Sequence, residues 1–376
     1  MEFRPGSLES LGMNPDFWRS KVVFLTGHTG FKAGWLSLWL QDLGAKVSGY
    51  SLEPPTQPNL FDLARVSEGM AESVAGDVRD LEHLRRVLRE SQPEVVFHLA
   101  AQPVLRLSYV EPVRTFSTNV LGTVHILEAV RDVSSVRSVV IITSDKCYEN
   151  FEDQRAYAES DRLGGADPYS ASKASAELVV ATYRKSFFAA GKCAGTTGVA
   201  SARAGNVIGG GDWAADRLVP DVIRAALEGR QVFIRNPNAT RPWQHVLNPL
   251  SGYLSLAERL YESPDRFAES WNFGPDPSDC VPVLTVLHRL REFWGPGLSW
   301  QFDTGPHPHE DAFLKLDCAK AKALLEWEPL WDLDRGLEAT AQWYKAHQSR
   351  QDLRALTLAQ IRSFQSRESL PQVPAR

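Results

Sequence analysis

The stretch from residue 21 to 44 constrains the fold more than any other part of this 376-residue chain. Lys21-Val22-Val23-Phe24-Leu25-Thr26 is an apolar run and Gly27-His28-Thr29-Gly30 a glycine turn. Phe31, Trp35, Leu36, Leu38, Trp39 and Leu43 then mark an amphipathic helix that stops at Gly44. A strand that turns tightly into a helix leaves backbone N–H groups at the helix start, where a pyrophosphate can approach, and glycines keep Cβ atoms out of its way. The spacing Gly27-x-x-Gly30-x-x-Ala33 is not the G-x-G-x-x-G form. Alone it also describes an ordinary strand-to-helix turn, so the rest of the chain must decide.

Residues 46–50, 73–75, 94–99, 138–142 and 196–202 read as further strands, apolar and without a period-two alternation. Such strands belong to a parallel sheet buried on both faces. Helical patterns lie between them: Leu81, Leu84, Val87 and Leu88 share a face behind Asp80, a candidate N-cap, and another helix covers 119–131. The expected fold is α/β, a doubly wound parallel sheet of Rossmann type with a smaller mixed α/β substrate lobe. A tail (1–19) precedes a dinucleotide-binding domain (20–205), to which a last strand near 270–273 returns. The second lobe covers 206–349, and 350–376 is expected to be helical, polar and peripheral.

Ligands of such sheets sit at the carboxyl ends of the strands, which brings Gly27, Ala100 and Ser144 to one crevice. Ala100-Ala101-Gln102 is a small-residue exit where a cofactor can lie close to backbone. After the second strand, where many such folds carry an acidic residue for the adenosine ribose, stand Ser51 and, two residues on, Glu53. Asp77, beside Val78, reaches an adenine amino group or simply makes a turn; both readings stand. His98, inside its strand, reads as a core histidine.

A hydrophobic fraction of 43% and a charged fraction of 23% describe an ordinary globular chain, and a net charge of −5 argues against a nucleic-acid partner. No apolar run is long enough to span a membrane and the first twenty residues lack a secretory stretch, so a cytoplasmic protein with no membrane partner is expected. Cys147, Cys193, Cys280 and Cys318 are scattered, which suggests neither a disulfide framework nor a zinc site. No metal is expected. His307-Pro308-His309-Glu310 comes nearest to a ligand set, and its prolines favour a polar loop.

Two motifs carry chemistry. Thr143-Ser144-Asp145-Lys146-Cys147-Tyr148 follows the apolar run 139–142 at a strand end. Tyr169-Ser170-Ala171-Ser172-Lys173 follows Pro168, and on a helix it places Tyr169 and Lys173 on one face. A phenol of pKa about 10 must fall about three units to act near neutrality, which costs about 4 kcal/mol. An ammonium about 4 Å away supplies roughly that at an effective dielectric near 20. The Tyr/Lys spacing alone is common in helices. Further on, Arg217, Arg235 and Arg241 lie in loops of an acidic chain, suited to an anionic ligand or to plain solvated surface.

These motifs, together with Arg203-Ala204-Gly205-Asn206-Val207-Ile208-Gly209-Gly210-Gly211-Asp212-Trp213 and Arg241-Pro242-Trp243-Gln244-His245-Val246, resemble the extended short-chain dehydrogenase/reductase family, and within it the nucleotide-sugar 4,6-dehydratases. The resemblance runs from about residue 17 to 348. It implies a nucleotide-sugar substrate and an NAD cofactor held by Gly27, Thr29, Gly30, Phe31, Lys32, Ser51, Asp77, Val78, Ala100, Ala101, Thr143, Tyr169 and Lys173. It implies that Tyr169 takes the proton of the sugar's 4-hydroxyl while hydride passes from carbon 4 to NAD, with Lys173 and Ser144 supporting the phenolate. Water then leaves across carbons 5 and 6 and the hydride returns to carbon 6. Most members carry Thr-Asp-Glu at the strand end; here the triplet is Ser144-Asp145-Lys146, which matches the CDP-glucose branch. Asp145 is then the acid for the departing hydroxyl. Lys146, neutral through burial beside Lys173, is the base for carbon 5, unless it only positions Asp145. Asn206, Arg217, Arg235 and Arg241 are expected to hold the nucleotide sugar, and a homodimer is expected through the helix bearing Tyr169 and its neighbour. A dehydratase or epimerase of another nucleotide sugar is the alternative, and a non-catalytic NAD-sensing protein a remote one.

Overall fold

The computed structural model describes residues 14, 16–152, 154–189, 197–303, 305 and 311–371. The His307 to Glu310 loop and Cys193 lie outside the described residues. Seven parallel strands form the central sheet: β1 (Val22–Thr26), β2 (Lys46–Ser51), β3 (Glu72–Ala75), β4 (Val95–His98), β5 (Ser138–Ile142), β6 (Gly198–Arg203) and β7 (Ser270–Asn272). Their spatial order is β7-β6-β5-β4-β1-β2-β3. The order reverses between β1 and β4, and that switch point opens the crevice expected of a doubly wound sheet.

The apolar, period-free strands are explained by the packing. Val23 and Leu25 of β1, Val95 and Phe97 of β4, and Val140 and Ile142 of β5 join one core, while Phe24, Val96, Val139 and Ile141 join the core on the other face. Successive side chains alternate between the faces, and both faces are covered. The second face is closed by α2 (Leu81–Ser91) through Leu84, Val87 and Leu88, and by α3 (Gly122–Arg131) through Ile126, Leu127 and Val130. Asp80 caps α2, accepting the His83 N–H at 3.0 Å. A π-turn, Ser117–Leu121, leads into α3 where a continuous helix from 119 was expected.

The first face carries α1 (Phe31–Asp42), α5 (Leu247–Glu262), α6 (Leu333–Gln348) and α7 (Leu353–Ser366). Helix α4 (Pro168–Ser186) packs against β6, α3 and the turn after β5. Short two-stranded pairs come from the later part of the chain: Val207–Ile208 with Gln244–His245, Thr240–Pro242 with Cys280–Pro282, and Val232–Ile234 with Trp300–Phe302.

Of the C-terminal segment, expected to be peripheral, the described residues 350–371 are part of the body. Helix α7 buries Leu353, Ile361 and Phe364; Phe364 packs edge-on against Trp39 of α1 and against Trp331, and Arg362 pairs with Asp42 at 2.6 Å. Its polar residues misled the sequence reading. Thr357, Gln360 and Gln365 are buried, and Thr357 and Gln360 bond Trp343 and the Ala339 carbonyl within the packed helices.

Candidate active site

Four pieces of chain converge at the carboxyl end of the sheet. The first is the glycine turn. Gly27 has φ of +77°, and a Cβ there would stand 2.8 Å from the Ala100 nitrogen, so β1 and β4 exits touch through backbone. Gly30 caps α1 with extended backbone and no side-chain acceptor, which leaves first-turn N–H groups for an anion. Thr29 Oγ1 donates to the Leu52 carbonyl at 2.9 Å and meets Ser51 Oγ at 2.8 Å. This cradle, smooth where glycines stand and rich in N–H groups, fits a dinucleotide pyrophosphate.

Beside it, Thr26 Oγ1 takes the N–H groups of Leu99 and Ala100 at 3.1 and 3.2 Å and contacts His98 Nδ1 at 2.8 Å. Burial pushes His98 down to about 3, so it is a neutral core residue that fixes the Ala100-Ala101 exit. Asp77 has both carboxylate oxygens on the Arg79 guanidinium and one on the Arg79 N–H, the geometry of a turn. Val78 is buried against Gly122.

The second piece is the strand end. Ser144 Oγ donates to Asp145 Oδ1 at 2.9 Å and accepts the Lys146 N–H at 3.2 Å. Asp145 is buried and pushed upward by it, and its Oδ2 has no hydrogen-bond partner among the described residues. Lys146 Nζ lies 3.4 Å from Asp311 Oδ2. The amine therefore has an anion for a partner where the sequence pointed to a second amine, because a loop more than 160 residues away folds over it.

The third piece is α4. Asp167 caps it through the Ser170 N–H at 2.9 Å, and Tyr169 and Lys173 emerge one turn apart, both buried. Burial pushes the Tyr169 phenol up to about 12, and the Ser144 hydroxyl is the strongest influence the other way. Lys173, expected to supply most of the lowering, instead reaches the Ile142 carbonyl at 3.4 Å. Burial takes its ammonium down to about 8, with Glu177 opposing. Thr143 does not turn its hydroxyl to the crevice: it donates to Glu177 Oε1 at 2.5 Å.

The fourth piece comes from the later loops. Arg217 pairs with Asp212 at 2.8 Å and acts on both Tyr169 and Lys32. Arg241 is buried and acts on Asp145. Lys32, in the first turn of α1, falls to about 7 through burial and the charges of Arg217 and Lys173. Arg235 sits farther out with Asp216, which Arg106 also approaches. Asn206 contributes its carbonyl to the Gln244 N–H at 3.0 Å. Sequence reasoning missed Glu177, Asp311, the pairing role of Asp212, and Tyr253, whose ring centroid lies 6.0 Å from Lys32 Nζ. Glu177 carried a signal, the four-residue spacing after Tyr169 and Lys173; Asp311 and Tyr253 carried none.

This chemistry can be set beside known proteins. The family model described as GDP-mannose 4,6 dehydratase matches residues 24–265. A CDP-glucose 4,6-dehydratase of Salmonella typhimurium is 50% identical over 355 residues, 94% of this chain and 99% of the relative. A dTDP-glucose 4,6-dehydratase of Xanthomonas campestris pv. campestris is 26% identical, covering 86% of this chain and 93% of its own. Among solved structures, a dTDP-glucose 4,6-dehydratase from Bacillus anthracis in complex with NAD superposes with a TM-score of 0.71 at 23% identity, covering 88% of this chain and 99% of that one. A UDP-glucose 4-epimerase of Thermotoga maritima with UDP-glucose gives 0.73 at 21%, covering 87% and 99%. At these identities the structures speak for the fold.

Proposed function

The chain belongs to the GDP-mannose 4,6-dehydratase family of extended short-chain dehydrogenase/reductases, and from that premise we propose how its residues work. It is an NAD-dependent hydro-lyase, a CDP-glucose 4,6-dehydratase that yields CDP-4-dehydro-6-deoxy-D-glucose. Bound NAD would supply reversible storage of the hydride exchanged between carbons 4 and 6. Gly27, Thr29, Gly30, Phe31 and Lys32 hold its phosphates, Ser51, Asp77 and Val78 its adenosine end, and Ala100, Ala101, Thr143, Tyr169 and Lys173 surround its reactive end.

Tyr169 accepts the proton of the 4-hydroxyl. Its phenol is made a base by Ser144, by Arg217 and by the charge of the occupied site, since burial alone holds it protonated. The 4-ketone acidifies the hydrogen on carbon 5, and Lys146, whose amine Asp311 orients at 3.4 Å, takes that proton. Asp145, kept as the acid by burial, protonates the hydroxyl leaving carbon 6. Arg217, Arg235, Arg241 and Asn206 receive the nucleotide sugar.

One observation carries this reading: the turn that bears Asp145 after β5 packs against α4, the helix that bears Tyr169, so an oxidation base and an elimination acid can address one hexose. A 4-epimerase needs no such acid. Incubation with CDP-, dTDP-, UDP- and GDP-linked hexoses, following 4-keto-6-deoxy product in alkali, tests it. Turnover of CDP-glucose first among them is expected; preference for a dTDP- or UDP-sugar rejects the substrate.

The chain works as a homodimer. Val110, Val113, Phe116 and Leu121, on short helices packed against α4, and Leu178 on α4 itself, stand exposed; Val113 is 82% and Leu178 58% accessible. Apolar side chains gathered on adjacent helices favour a partner helix pair over water. No described helix is long and apolar enough to cross a membrane.

A further inference from the structure

Two arginines distant in sequence converge on one oxygen atom. Arg106 lies on the short helix Leu105–Val110, which follows the Ala100-Ala101-Gln102 exit of β4, and Arg235 comes directly after the strand Val232–Ile234 in the later part of the chain. The Arg106 guanidinium stands 3.7 Å from Asp216 Oδ1, and the Arg235 guanidinium stands 3.5 Å from that same atom. Asp221, the next acid along the chain, is taken by Arg224. This meeting point borders the reaction centre. Ser108 Oγ accepts the Tyr169 N–H at 3.1 Å, so the helix that carries Arg106 is bonded to the start of α4. The segment leading to Asp216 comes off the dinucleotide cradle: the Gly210 carbonyl accepts Trp35 Nε1 of α1 at 2.9 Å, and a Cβ on Gly209 would stand 3.1 Å from the Phe31 ring. Arg217, next to Asp216, is tied back to Asp212 at 2.8 Å.

Asp216 is a replaceable partner for these two cations. It offers a single charge to both guanidinium groups. Its side chain is 38% exposed and those of Arg106 and Arg235 are 34% and 22%, so solvent weakens the pairs and a ligand can reach them. Its backbone is left-handed, with φ of +61°, a conformation that asparagine and aspartate tolerate and most other side chains avoid. A diphosphate brings a charge on each phosphate and enough oxygens to serve both planar guanidinium forks at once.

We propose that Arg106 is a further substrate-binding residue and that Asp216 stands in for substrate in the empty crevice: the diphosphate of the nucleotide sugar displaces the Asp216 carboxylate and takes Arg106 and Arg235 together. This grip, which presupposes the nucleotide-sugar reading above, comes from the dinucleotide side, whereas Arg217, Arg235 and Arg241 all belong to the later part of the chain. Because the helix that carries Arg106 is bonded to the backbone of Tyr169, the same contact seats the sugar's diphosphate against the element that bears the oxidation base.

Calorimetric titration of the NAD-loaded protein with CDP and with cytidine, in the wild type, Arg106→Gln and Asp216→Asn, tests both halves. Asparagine keeps the left-handed backbone and removes only the charge. Arg106→Gln should weaken CDP binding about tenfold or more while leaving cytidine within about twofold, and Asp216→Asn should tighten CDP about two- to fivefold because its competitor is gone. Unchanged or weaker CDP binding in Asp216→Asn overturns the displacement, since the carboxylate then only holds the arginines in place. Unchanged CDP binding in Arg106→Gln, or equal losses of CDP and cytidine, overturns the role of Arg106. If the wild type prefers dTDP or UDP to CDP, the substrate assigned above falls instead, and the same titrations with the preferred nucleotide and its nucleoside still decide the diphosphate site.

Discussion

Glu177 stands one helical turn beyond Lys173 and meets Arg203 of β6 in an ion pair of 2.7 Å, both side chains almost wholly buried. The carboxylate also takes Thr143 Oγ1 at 2.5 Å and Ser201 Oγ at 2.7 Å, and Arg203 reaches the Tyr148 hydroxyl at 2.8 Å. Helix α4 is thereby fastened to β5 and β6 directly behind the reactive groups. A buried pair this fully bonded is expensive to break from one side.

Glu177→Leu is therefore expected to lose about 3–5 kcal/mol, read from urea midpoints, because Arg203 is left charged and buried. Replacing both residues with apolar ones recovers much of that loss. The Glu177 carboxyl is held below its unfolded value by Arg203. Its contribution is therefore present above the ordinary carboxylate range and lost as pH falls through the native value. Acid unfolding of Glu177→Gln should be less steep than that of the wild type.

Lys173 works in the opposite sense. Burial lowers its native value to about 8, so over the interval from there up to the ordinary lysine value the unfolded chain binds more protons than the folded one. Stability should rise with pH across that window in the wild type and not in Lys173→Met. The variant should be more stable near neutrality, by an amount on the order of a few kcal/mol, and inactive.

Lys146→Met is expected to lower kcat by about a hundredfold or more and to abolish deuterium incorporation at carbon 5 from heavy water. Normal incorporation in this variant would dismiss the base role. Asp311→Asn, which loses a half-buried pair, should shift stability by about 1 kcal/mol or less and change kcat through the placement of Lys146.

Phe364→Ala should cost about 3–5 kcal/mol, measured by thermal or urea unfolding, because the ring fills a space between Trp39 and Trp331. Deleting the chain from Asp352 onward should be worse, since it bares the α1 face that α7 covers. A wild-type midpoint after that deletion would return the segment to the periphery.

Val113→Asp combined with Leu178→Asp should turn a dimer into a monomer by sedimentation, with about one-unit change in unfolding free energy in kcal/mol, since both side chains are exposed in the single chain. Wild-type chain that sediments as a monomer at micromolar concentration would reject the dimer.

The local parts of this protein could be read from its residues. Strand β5, the Asp80 cap, the helix carrying Tyr169 and Lys173, and the turn at Gly27 depend on neighbours within about one turn or one strand, where periodicity, glycine and capping chemistry act. The doubly wound parallel class followed from them, because an alternation of strands and helices admits few right-handed arrangements. What the order of residues left open was decided in three dimensions. Asp311 reaches Lys146 across 165 positions, α7 returns to α1 at the far end of the chain, and Lys173 faces a carbonyl and Glu177 more than it faces the phenol. Burial, the largest influence on Tyr169, Asp145 and Lys173 alike, is a property of everything packed around a group. No spacing along the chain encodes it.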